Sequence, residues 1–398
     1  MMPNRPLLAD LQPITGADPS SFANRVITER HPTIIRQILA DRPSSPAQVN
    51  RLNELLRETV EGRIRPLPGD AHDAAYWLGS GRPYFGERWT EVPFLWAESF
   101  FYRWLLDCLE FFEPGPWHWV DPFQPMKEVE LKGKEVELFL EEIKQLDQLL
   151  DHEAFARLLR SAVLGNRADL GFRMMGSAEA GEATGKFEVV DDHTESIWEH
   201  LCRTAGARIV VLADNAALEI LGDLILCDFL IHRCGCSSIS LQLKPTPYYV
   251  SDATTSDVLQ ALRRLRNGGS HAEAIGARLM AAFRRGSISL ETHDFYCRPE
   301  YYYSVPSDLL STLANADLVI SKGDLNYRRL VGDVECDPTI RFENACAYFP
   351  SSLAALRSLK SDVALGLTSA TVAKLEATGS NWRTEGTHGV IQCRKTVL

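Results

Sequence analysis

Two short segments of the chain carry side chains that can bind a divalent cation. Asp214 and Asn215 are adjacent, and Asp252 follows later in the sequence. Their carboxylate and amide oxygens suit magnesium, manganese or a similar ion whose remaining ligands are waters. The same residue types are favoured at helix N-termini, and Asp252 could equally belong to a turn or to the cap region that follows it. The local pattern therefore leaves a metal site and helix caps open as alternatives.

A third segment, from Lys322 to Arg328, has the composition of an anion-binding turn. Gly323 lets backbone N–H groups approach an anion, and Lys322 and Arg328 add positive charge. The alternative is a strand-to-helix turn with Asp324 as the N-cap, but such a cap does not require the amide of Asn326. The segment is not a nucleotide-binding P-loop, because the sequence has no Gly-x-x-x-x-Gly-Lys-Ser/Thr.

Two further cations, Arg357 and Lys360, lie in the stretch 353–365, whose pattern predicts a helix. In a helix the two would be about one turn apart on one face, either as a solvated basic surface or as a phosphate-binding pair. Together with a metal and the glycine turn, the pair suits cleavage of a phosphate ester. The metal would lower the pKa of a bound water, while Lys360 and the turn at Gly323 would hold the phosphate.

The order of the sequence patterns predicts which elements position these segments. Short apolar runs rich in β-branched residues alternate with helical patterns, which indicates an α/β fold with a mostly parallel sheet. The predicted strands are 207–212, 238–243, 317–320 and 389–393, and the predicted helices are 217–232, 257–266 and 353–365. Ligands of such sheets bind beyond the carboxyl ends of the strands. The turns at Asp214 and Lys322 and the loop at Asp252 are therefore expected to converge on one crevice.

The first 165 residues have a different sequence pattern, with few alternating runs of β-branched residues. Apolar residues recur at helical spacing in 32–39 and 94–109, and the Lys/Glu-rich stretch 128–150 predicts an exposed amphipathic helix. Glycines become frequent from Arg167 to Asp191, which indicates a linker or mobile loop. We therefore expect an all-helical domain over residues 1–185 and an α/β catalytic domain over residues 186–398.

Bulk properties narrow the class of protein. A length of 398 residues predicts two or three domains. The net charge of −11 argues against nucleic-acid or anionic-membrane binding, and the sequence has no secretion signal or transmembrane pattern. Nine cysteines without a metal-binding spacing fit reduced thiols in a cytoplasmic protein, and Cys234 and Cys236 are interpreted as free thiols. No obligate protein partner is inferred.

The chemically interesting segments also resemble a known family, the damage-control phosphatases, also called domain of unknown function 89 or acidic-residue methyltransferase-like proteins. The Arg-Thr-x-Lys signature of its third subfamily appears with Ser358 in place of Thr, and Leu164 replaces the usual Trp before Gly165. The similar segments cover nearly the whole chain and follow the family's order: 93–103, 165–170, 212–219, 223–230, 247–252, 322–333 and 357–360.

The resemblance implies a helical N-terminal domain on a three-layer α/β/α sandwich. It implies a phosphatase of sugar phosphates such as fructose 1-phosphate or fructose 6-phosphate, using cobalt, nickel, manganese or magnesium. The implied metal ligands are Asp214, Asn215 and Asp252, with Asp214, Asp252 and Lys360 catalytic. The implied substrate contacts are Asp324, Leu325, Asn326, Tyr327, Arg328 and Lys360. Further candidates at the site are Glu98, Arg103, Asn166, Asp169, Lys322, Gly323 and Arg357. For Glu98 with Arg103 a helix-face ion pair, and for Asn166 and Asp169 helix caps, are the structural alternatives.

Three other functions fit the sequence less well. A phosphatase with an aspartyl nucleophile would need a second Asp two residues after Asp214, where the chain has Ala216. Methyl transfer from S-adenosylmethionine usually requires a glycine-rich loop after the first strand, and 213–217 contains no glycine. A non-catalytic regulatory protein on this fold would not need polar clusters at all three loops. Hydrolysis by a metal-activated water is therefore the preferred hypothesis.

Overall fold

A seven-stranded sheet organises the chain. The computed structural model describes residues 6–167 and 187–396. The strand order is β1-β7-β6-β5-β2-β3-β4, and within this sheet the pair β6–β7 is antiparallel while the other neighbours are parallel. The predicted α/β class with a mostly parallel sheet is therefore confirmed. The strands are β1 Glu188–Asp192, β2 Arg208–Leu212, β3 Ser238–Leu243, β4 Ile288–Thr292, β5 Leu318–Lys322, β6 Leu353–Ser358 and β7 His388–Arg394.

Helices make up the rest of the regular structure, and between residues 6 and 167 all named elements are helical. Short 3-10 helices lie at Ile143–Gln148, Asp294–Cys297 and Tyr302–Ser304, and a π-helix lies at Val26–Arg30. The α-helices are Phe22–Arg25, His31–Asp41, Pro46–Glu61, Ala74–Gly81, Phe94–Cys108, Gln124–Leu131, Lys134–Glu142, Asp151–Arg167, Thr194–Arg203, Ala217–His232, Thr255–Arg266, Ser270–Arg285, Ser307–Ala314, Gly323–Val331, Phe342–Ala345 and Ser369–Glu376.

Helices cover both faces of the sheet. Side chains of a strand alternate between its faces, so each central strand contributes to two cores. On β2, Val210 and Leu212 join a core with the N-terminal helices, including Phe94–Cys108. Ile209 and Val211 face the opposite core, which includes the helix Ala217–His232. The three layers implied by the resemblance are present.

The predicted helical N-terminal region contributes to both of these cores. Residues of Lys134–Glu142 and Asp151–Arg167 belong to the core that contains Ile209 and Val211, whereas the earlier helices belong to the other core. The domain boundary between residues 185 and 186 remains a prediction. Most of the predicted glycine-rich segment lies outside the described residues.

One predicted element is wrong in type. The stretch 353–365 begins as the strand β6, Leu353–Ser358, rather than as a helix. Leu and Ala favour helices, but this preference is weak, and β6 pairs with β5 on one side and β7 on the other with every residue buried. Arg357 and Lys360 are therefore not one helical turn apart: Arg357 lies in the strand and Lys360 in the loop after it.

Other differences concern element boundaries and elements that the sequence patterns did not reveal. The predicted helix 128–150 is divided into Gln124–Leu131, Lys134–Glu142 and a 3-10 helix, with Gly133 as the N-cap of the second. β1, β4 and the helix Ser270–Arg285 were not predicted. By contrast, the helix Ala217–His232 and the strand β3 have the predicted bounds.

Two further observations bear on the expected surroundings of the protein. In the described ranges, no helix combines the length and the apolar character that crossing a bilayer requires. All nine cysteines are free thiols, Cys234 and Cys236 included.

Candidate functional site

The three polar loops identified in the sequence meet at one edge of the sheet. β2 and β5 are neighbours and parallel, so the turn after β2 and the beginning of the helix after β5 lie side by side. The loop of Asp252 is joined to the turn after β2 by two backbone hydrogen bonds. Ala216 N–H donates to Ser251 O (2.7 Å), and Ala253 N–H donates to Asp214 O (2.8 Å). The backbone thus fixes the three predicted metal ligands relative to one another.

Gly323 lies directly against the carboxylate of Asp214. A Cβ at residue 323 would be 1.7 Å from Asp214 Oδ2, and Gly323 has a φ of +83°. Both observations require glycine at this position, since any other side chain would overlap the carboxylate and strain the backbone. Gly323 therefore makes room for Asp214, and the anion-binding role of its backbone N–H groups stays a prediction.

The side chains of Asp214, Asn215 and Asp252 are not helix caps. The helix Ala217–His232 has Ala216 as its N-cap and no side-chain cap bond. The helix Thr255–Arg266 begins after Thr254, whose N–H donates to Asp257 (2.8 Å). The helix-cap alternative left open by the sequence is thereby removed.

All three predicted ligands are buried, and hydrogen bonds orient the side chains of Asp214 and Asn215. Asn215 Nδ2 donates to Asp214 Oδ2 (3.0 Å) and to Glu219 Oε2 (2.9 Å). Ser251 Oγ donates to Asn215 Oδ1 (2.7 Å). The side-chain nitrogen of Asn215 therefore faces the carboxylates of Asp214 and Glu219, and its side-chain oxygen faces Ser251.

Two buried lysines support the loop of Asp252. Lys244 Nζ is 3.1 Å from Asp252 Oδ2. Burial alone would lower the pKa of Lys244, but the charges of Asp252 and Asp214 outweigh it, and the pKa is raised. Lys127 Nζ donates to the backbone oxygen of Asp252 (2.8 Å) and to Asp257 (3.0 Å). Both lysines therefore remain charged beside the carboxylates.

Lys322 forms a buried ion network behind the site. Its Nζ donates to Glu219 Oε1 (3.0 Å) and to Asp223 Oδ1 (2.5 Å), and its side chain is fully buried. Burial raises the pKa of Asp223 to about 6. Because Glu219 also accepts from Asn215, the network connects Lys322 to a predicted metal ligand. Lys322 thus holds Asn215 through Glu219, and its ammonium group points at these two carboxylates and does not line the cavity.

These loops and the N-terminal helices enclose a narrow cavity of about 50 Å³. Several of its lining residues were candidates from the sequence, whereas Phe22, Arg30, Tyr249 and Ser251 were not. The lining residues are Phe22, Arg30, Glu98, Asp214, Asn215, Tyr249, Ser251, Asp252, Asp324, Leu325, Arg328 and Lys360.

Arg328 is fixed by two carboxylates in the cavity wall. Nε and Nη2 donate to Asp333 (2.7 and 3.0 Å), and Nη1 donates to Glu98 (3.3 Å). Its guanidinium also lies over the ring of Phe94, 4.7 Å from the centroid. Burial raises the pKa of Glu98, which the charges of Arg328 and Arg30 oppose.

Asp324 is oriented by residues after β6. Arg357 Nη2 lies 2.7 Å from Asp324 Oδ1, and Ser361 Oγ donates to the same oxygen (3.1 Å). Arg357 itself is fully buried over the ring of Tyr327 and is not among the cavity-lining residues. It therefore positions Asp324 from behind, while Lys360, three residues later, reaches the cavity.

Two other candidates have buried partners away from the cavity. Asn326 accepts from Tyr302 Oη (2.9 Å) and donates to Ala213 O (3.2 Å). Tyr327 Oη donates to Gln392 Oε1 (2.8 Å). These hydrogen bonds join the helix Gly323–Val331 to Tyr302, to the turn after β2 and to β7.

The remaining candidates do not reach the described part of the site. Arg103 pairs with Asp73 (2.7 Å) and Asp107 (3.5 Å) and lines a different cavity, and no Glu98–Arg103 ion pair is among the described contacts. Asn166 lies in the helix Asp151–Arg167, but its side chain is not among those described. Asp169 lies outside the described residues.

Lys244, Glu219 and Asp223 were not identified as site residues from the sequence. For Glu219 and Asp223 the sequence contains a usable signal. Glu219 and Asp223 are two of the three acidic residues in a mostly apolar helix, and a buried carboxylate there requires a partner. Lys244 had no such signal, since its distance from Asp252 depends on the tertiary fold.

The donor set fits a divalent metal ion of the hard, oxygen-preferring class. It combines two carboxylates with an amide oxygen, all buried and joined by a backbone bridge between Asn215 and Asp252. Among the described residues, no group of three or more His, Cys, Asp or Glu side chains has the arrangement of a metal site, so the candidate site here consists of two carboxylates and the amide oxygen of Asn215.

The chain is similar to known proteins of one family. The family model described as the damage-control phosphatase ARMT1-like domain matches residues 26–375. Damage-control phosphatase ARMT1 of Danio rerio is 30% identical over 333 residues, which cover 76% of this chain and 74% of that protein. The protein of the same name from Mus musculus is 26% identical over 448 aligned residues, covering 95% of this chain and 97% of the relative.

A solved structure is also similar: a DUF89 family protein from Pyrococcus horikoshii, with 14% identity, a TM-score of 0.49 and coverage of 89% of this chain and 94% of that one. The match of the family model to most of the chain, supported by the two relatives, decides the assignment. The chain belongs to the damage-control phosphatase ARMT1-like family.

Proposed function

We propose that the protein is a divalent-metal-dependent phosphomonoester hydrolase of small phosphorylated metabolites. Its family supports a phosphatase of metabolites. The observation that carries the finer proposal is that one cavity contains both an oxygen donor set, Asp214, Asn215 and Asp252, and three cations, Arg30, Arg328 and Lys360. Sugar phosphates such as fructose 1-phosphate or fructose 6-phosphate are the proposed substrates, and manganese, magnesium, cobalt or nickel the proposed metals.

The charges of the lining support binding of metal and phosphate together. Three cations, Arg30, Arg328 and Lys360, face four carboxylates, Glu98, Asp214, Asp252 and Asp324, which gives the lining a net charge of −1. A phosphate dianion would be repelled by that lining. With a divalent cation bound, the net charge is +1, and the dianion is attracted.

Each residue has a definite task in this proposal. Asp214, Asn215 and Asp252 hold the ion, which supplies Lewis acidity at a phosphoryl oxygen and a more acidic water. Lys360 stabilises negative charge on the phosphoryl group, and the buried surroundings strengthen that interaction. Asp324, held by Arg357 and Ser361, presents a fixed carboxylate to the substrate.

Water is the proposed nucleophile rather than Asp214. The position two residues after Asp214 is Ala216, and Asp214 Oδ2 already accepts from Asn215 and lies against Gly323. An acid-quenched reaction with a labelled phosphate ester is therefore expected to yield no phosphorylated protein.

The innermost space of the cavity is small. An ordered water needs about 10–15 Å³ of such space, so 50 Å³ accommodates on the order of four waters. A metal ion with its waters fits there. The free cysteines support the proposed cytoplasmic location.

The experiment that tests the proposed function measures phosphate release from a panel of phosphomonoesters. The protein is first stripped with a chelator, and Mn²⁺, Mg²⁺, Co²⁺ or Ni²⁺ is then added back. Release that requires added metal is expected. Equal release by the stripped protein would refute metal dependence, and no release from any ester would favour a non-catalytic role.

A further inference from the structure

The N-terminal helices supply a cation to the cavity that the sequence did not reveal. Arg30 is the last residue of the π-helix Val26–Arg30, it is 8% exposed, and it lines the cavity together with Phe22. π-Helical turns are rare in proteins, and those that occur often lie at functional sites. Arg30 thus reaches the site from a different layer of the fold than Lys360, which follows β6.

The segment that carries Arg30 is firmly anchored. Asn24 Nδ2 donates to Gly16 O (2.6 Å), and Val26 and Ile27 are fully buried. The ring of His31, the next residue, is stacked on Phe101 with the centroids 3.7 Å apart. A cation on such a segment is held in place before a ligand arrives, which reduces the entropy cost of binding.

The two arginines of the cavity differ in how they are held. All three guanidinium nitrogens of Arg328 donate to protein carboxylates, those of Asp333 and Glu98. These contacts of Arg328 therefore hold the wall of the cavity in position. The Arg30–Glu98 ion pair is longer, with 3.9 Å between Arg30 Nη1 and Glu98 Oε1, and it uses the other carboxylate oxygen. At that separation the two charges attract each other, which holds the Arg30 guanidinium beside Glu98 at the cavity.

We propose that Arg30 is a substrate-binding residue that contacts the phosphoryl oxygens from the helical side of the cavity. The inference rests on the proposed function, since it needs a phosphate in this cavity. A guanidinium group can donate two parallel hydrogen bonds to a phosphate, which an ammonium group cannot. Arg30 would also compensate charge, because the lining becomes more negative by one unit without it.

The test uses inorganic phosphate as the probe and the full-length protein loaded with Mn²⁺. Calorimetry compares the wild type with Arg30→Ala, Arg30→Gln and Arg30→Lys. Arg36→Ala is the matched control, because Arg36 is an exposed arginine on the following helix. Thermal unfolding and Mn²⁺ titration of each variant identify any loss of folding or of metal.

Removing Arg30 is expected to weaken phosphate binding roughly ten- to hundredfold, the range for a hydrogen bond to a charged group. Mn²⁺ binding should be retained, Arg30→Lys should restore part of the affinity, and Arg36→Ala should match the wild type. With a phosphomonoester, the loss should fall mainly on KM. A folded Arg30→Gln or Arg30→Ala with wild-type phosphate affinity would overturn the inference. A wild type that binds neither Mn²⁺ nor phosphate would instead refute the proposed function.

Discussion

Asp214 and Gly323 are in such close contact that the Asp214 carboxylate occupies the space where a side chain at residue 323 would lie. Each residue comes just after one of two neighbouring parallel strands, so the contact joins the turn after β2 to the helix after β5. A glycine at residue 323 therefore both leaves room for a carboxylate of the proposed metal site and allows the positive φ of the turn.

Gly323→Ala should weaken metal binding and destabilise the fold. The new methyl group would overlap Asp214 Oδ2 at 1.7 Å and also occupy a positive φ. We expect a loss of about 3 kcal/mol or more in the free energy of unfolding, together with much weaker Mn²⁺ binding by calorimetry. Gly286→Ala is the control, since Gly286 has a φ of +74° but no atom within 4 Å of the place that a Cβ would take. It should lose about 1–2 kcal/mol and keep its metal affinity. Equal Mn²⁺ affinity in both variants would contradict the role assigned to Gly323.

Lys322→Met should lower both stability and metal affinity, although Lys322 does not touch the cavity. Its removal leaves Glu219 and Asp223 buried without their cation, which is expected to cost about 3–5 kcal/mol. Because Glu219 orients Asn215, Mn²⁺ affinity should fall roughly ten- to hundredfold. Urea unfolding and Mn²⁺ titration measure the two effects. Lys374→Met, which removes an exposed ion pair with Glu188, is the control and should change neither quantity. Unchanged Mn²⁺ affinity in folded Lys322→Met would disprove the coupling.

His31 should make the protein sensitive to mild acid. Burial holds the pKa of His31 well below its usual value, so the folded protein binds this proton less readily than the unfolded chain. Stability should therefore decrease as the pH falls below about 6.5, by up to about 1.4 kcal/mol per pH unit.

His31→Phe, which keeps a ring against Phe101, should remove that part of the pH dependence. Urea unfolding between about pH 5 and 7.5, the range in which an ordinary histidine titrates, measures it. The exposed His152 replaced by Gln is the control. Parallel stability profiles of wild type and His31→Phe would contradict the prediction.

Metal and phosphate should bind cooperatively. The lining has a net charge of −1 without metal and +1 with a divalent ion. Mn²⁺ should therefore raise the affinity for inorganic phosphate roughly five- to 150-fold, and phosphate should raise the affinity for Mn²⁺ by the same factor. Two calorimetric titrations, each with and without the second ligand, measure the coupling from both sides. Equal phosphate affinity with and without Mn²⁺ would contradict the predicted coupling.

Much of the architecture could be predicted because hydrophobic patterns report burial directly. The helix Ala217–His232 and the strand β3 were located to the residue, and the alternation of elements revealed the parallel sheet. β6 was misassigned because its Leu-Ala-Ala-Leu sequence has helical propensity, and its pairing with β5 and β7 is decided by partners distant in the sequence.

The candidate site was only partly predictable for the same reason. Loops at the carboxyl ends of parallel strands must approach one another, so Asp214 and Gly323 could be associated from the sequence. The direction of a side chain could not: Lys322 and Arg357 point into ion networks rather than into the cavity. Arg30 was missed because the contribution of the N-terminal helices depends on how they pack on the sheet.

Metal-dependent hydrolysis at Asp214, Asn215 and Asp252 is tested most directly by phosphate release measured against Mn²⁺ concentration, for wild type and Asp252→Asn. The substitution preserves the size of the side chain and removes one proposed ligand charge; Asp294→Asn, at an exposed aspartate, is the control. We predict that Asp252→Asn releases phosphate at least about a hundredfold more slowly at a given Mn²⁺ concentration while remaining folded, and that Asp294→Asn equals the wild type. A folded Asp252→Asn with the same rate and the same Mn²⁺ dependence as the wild type would contradict the proposed metal site.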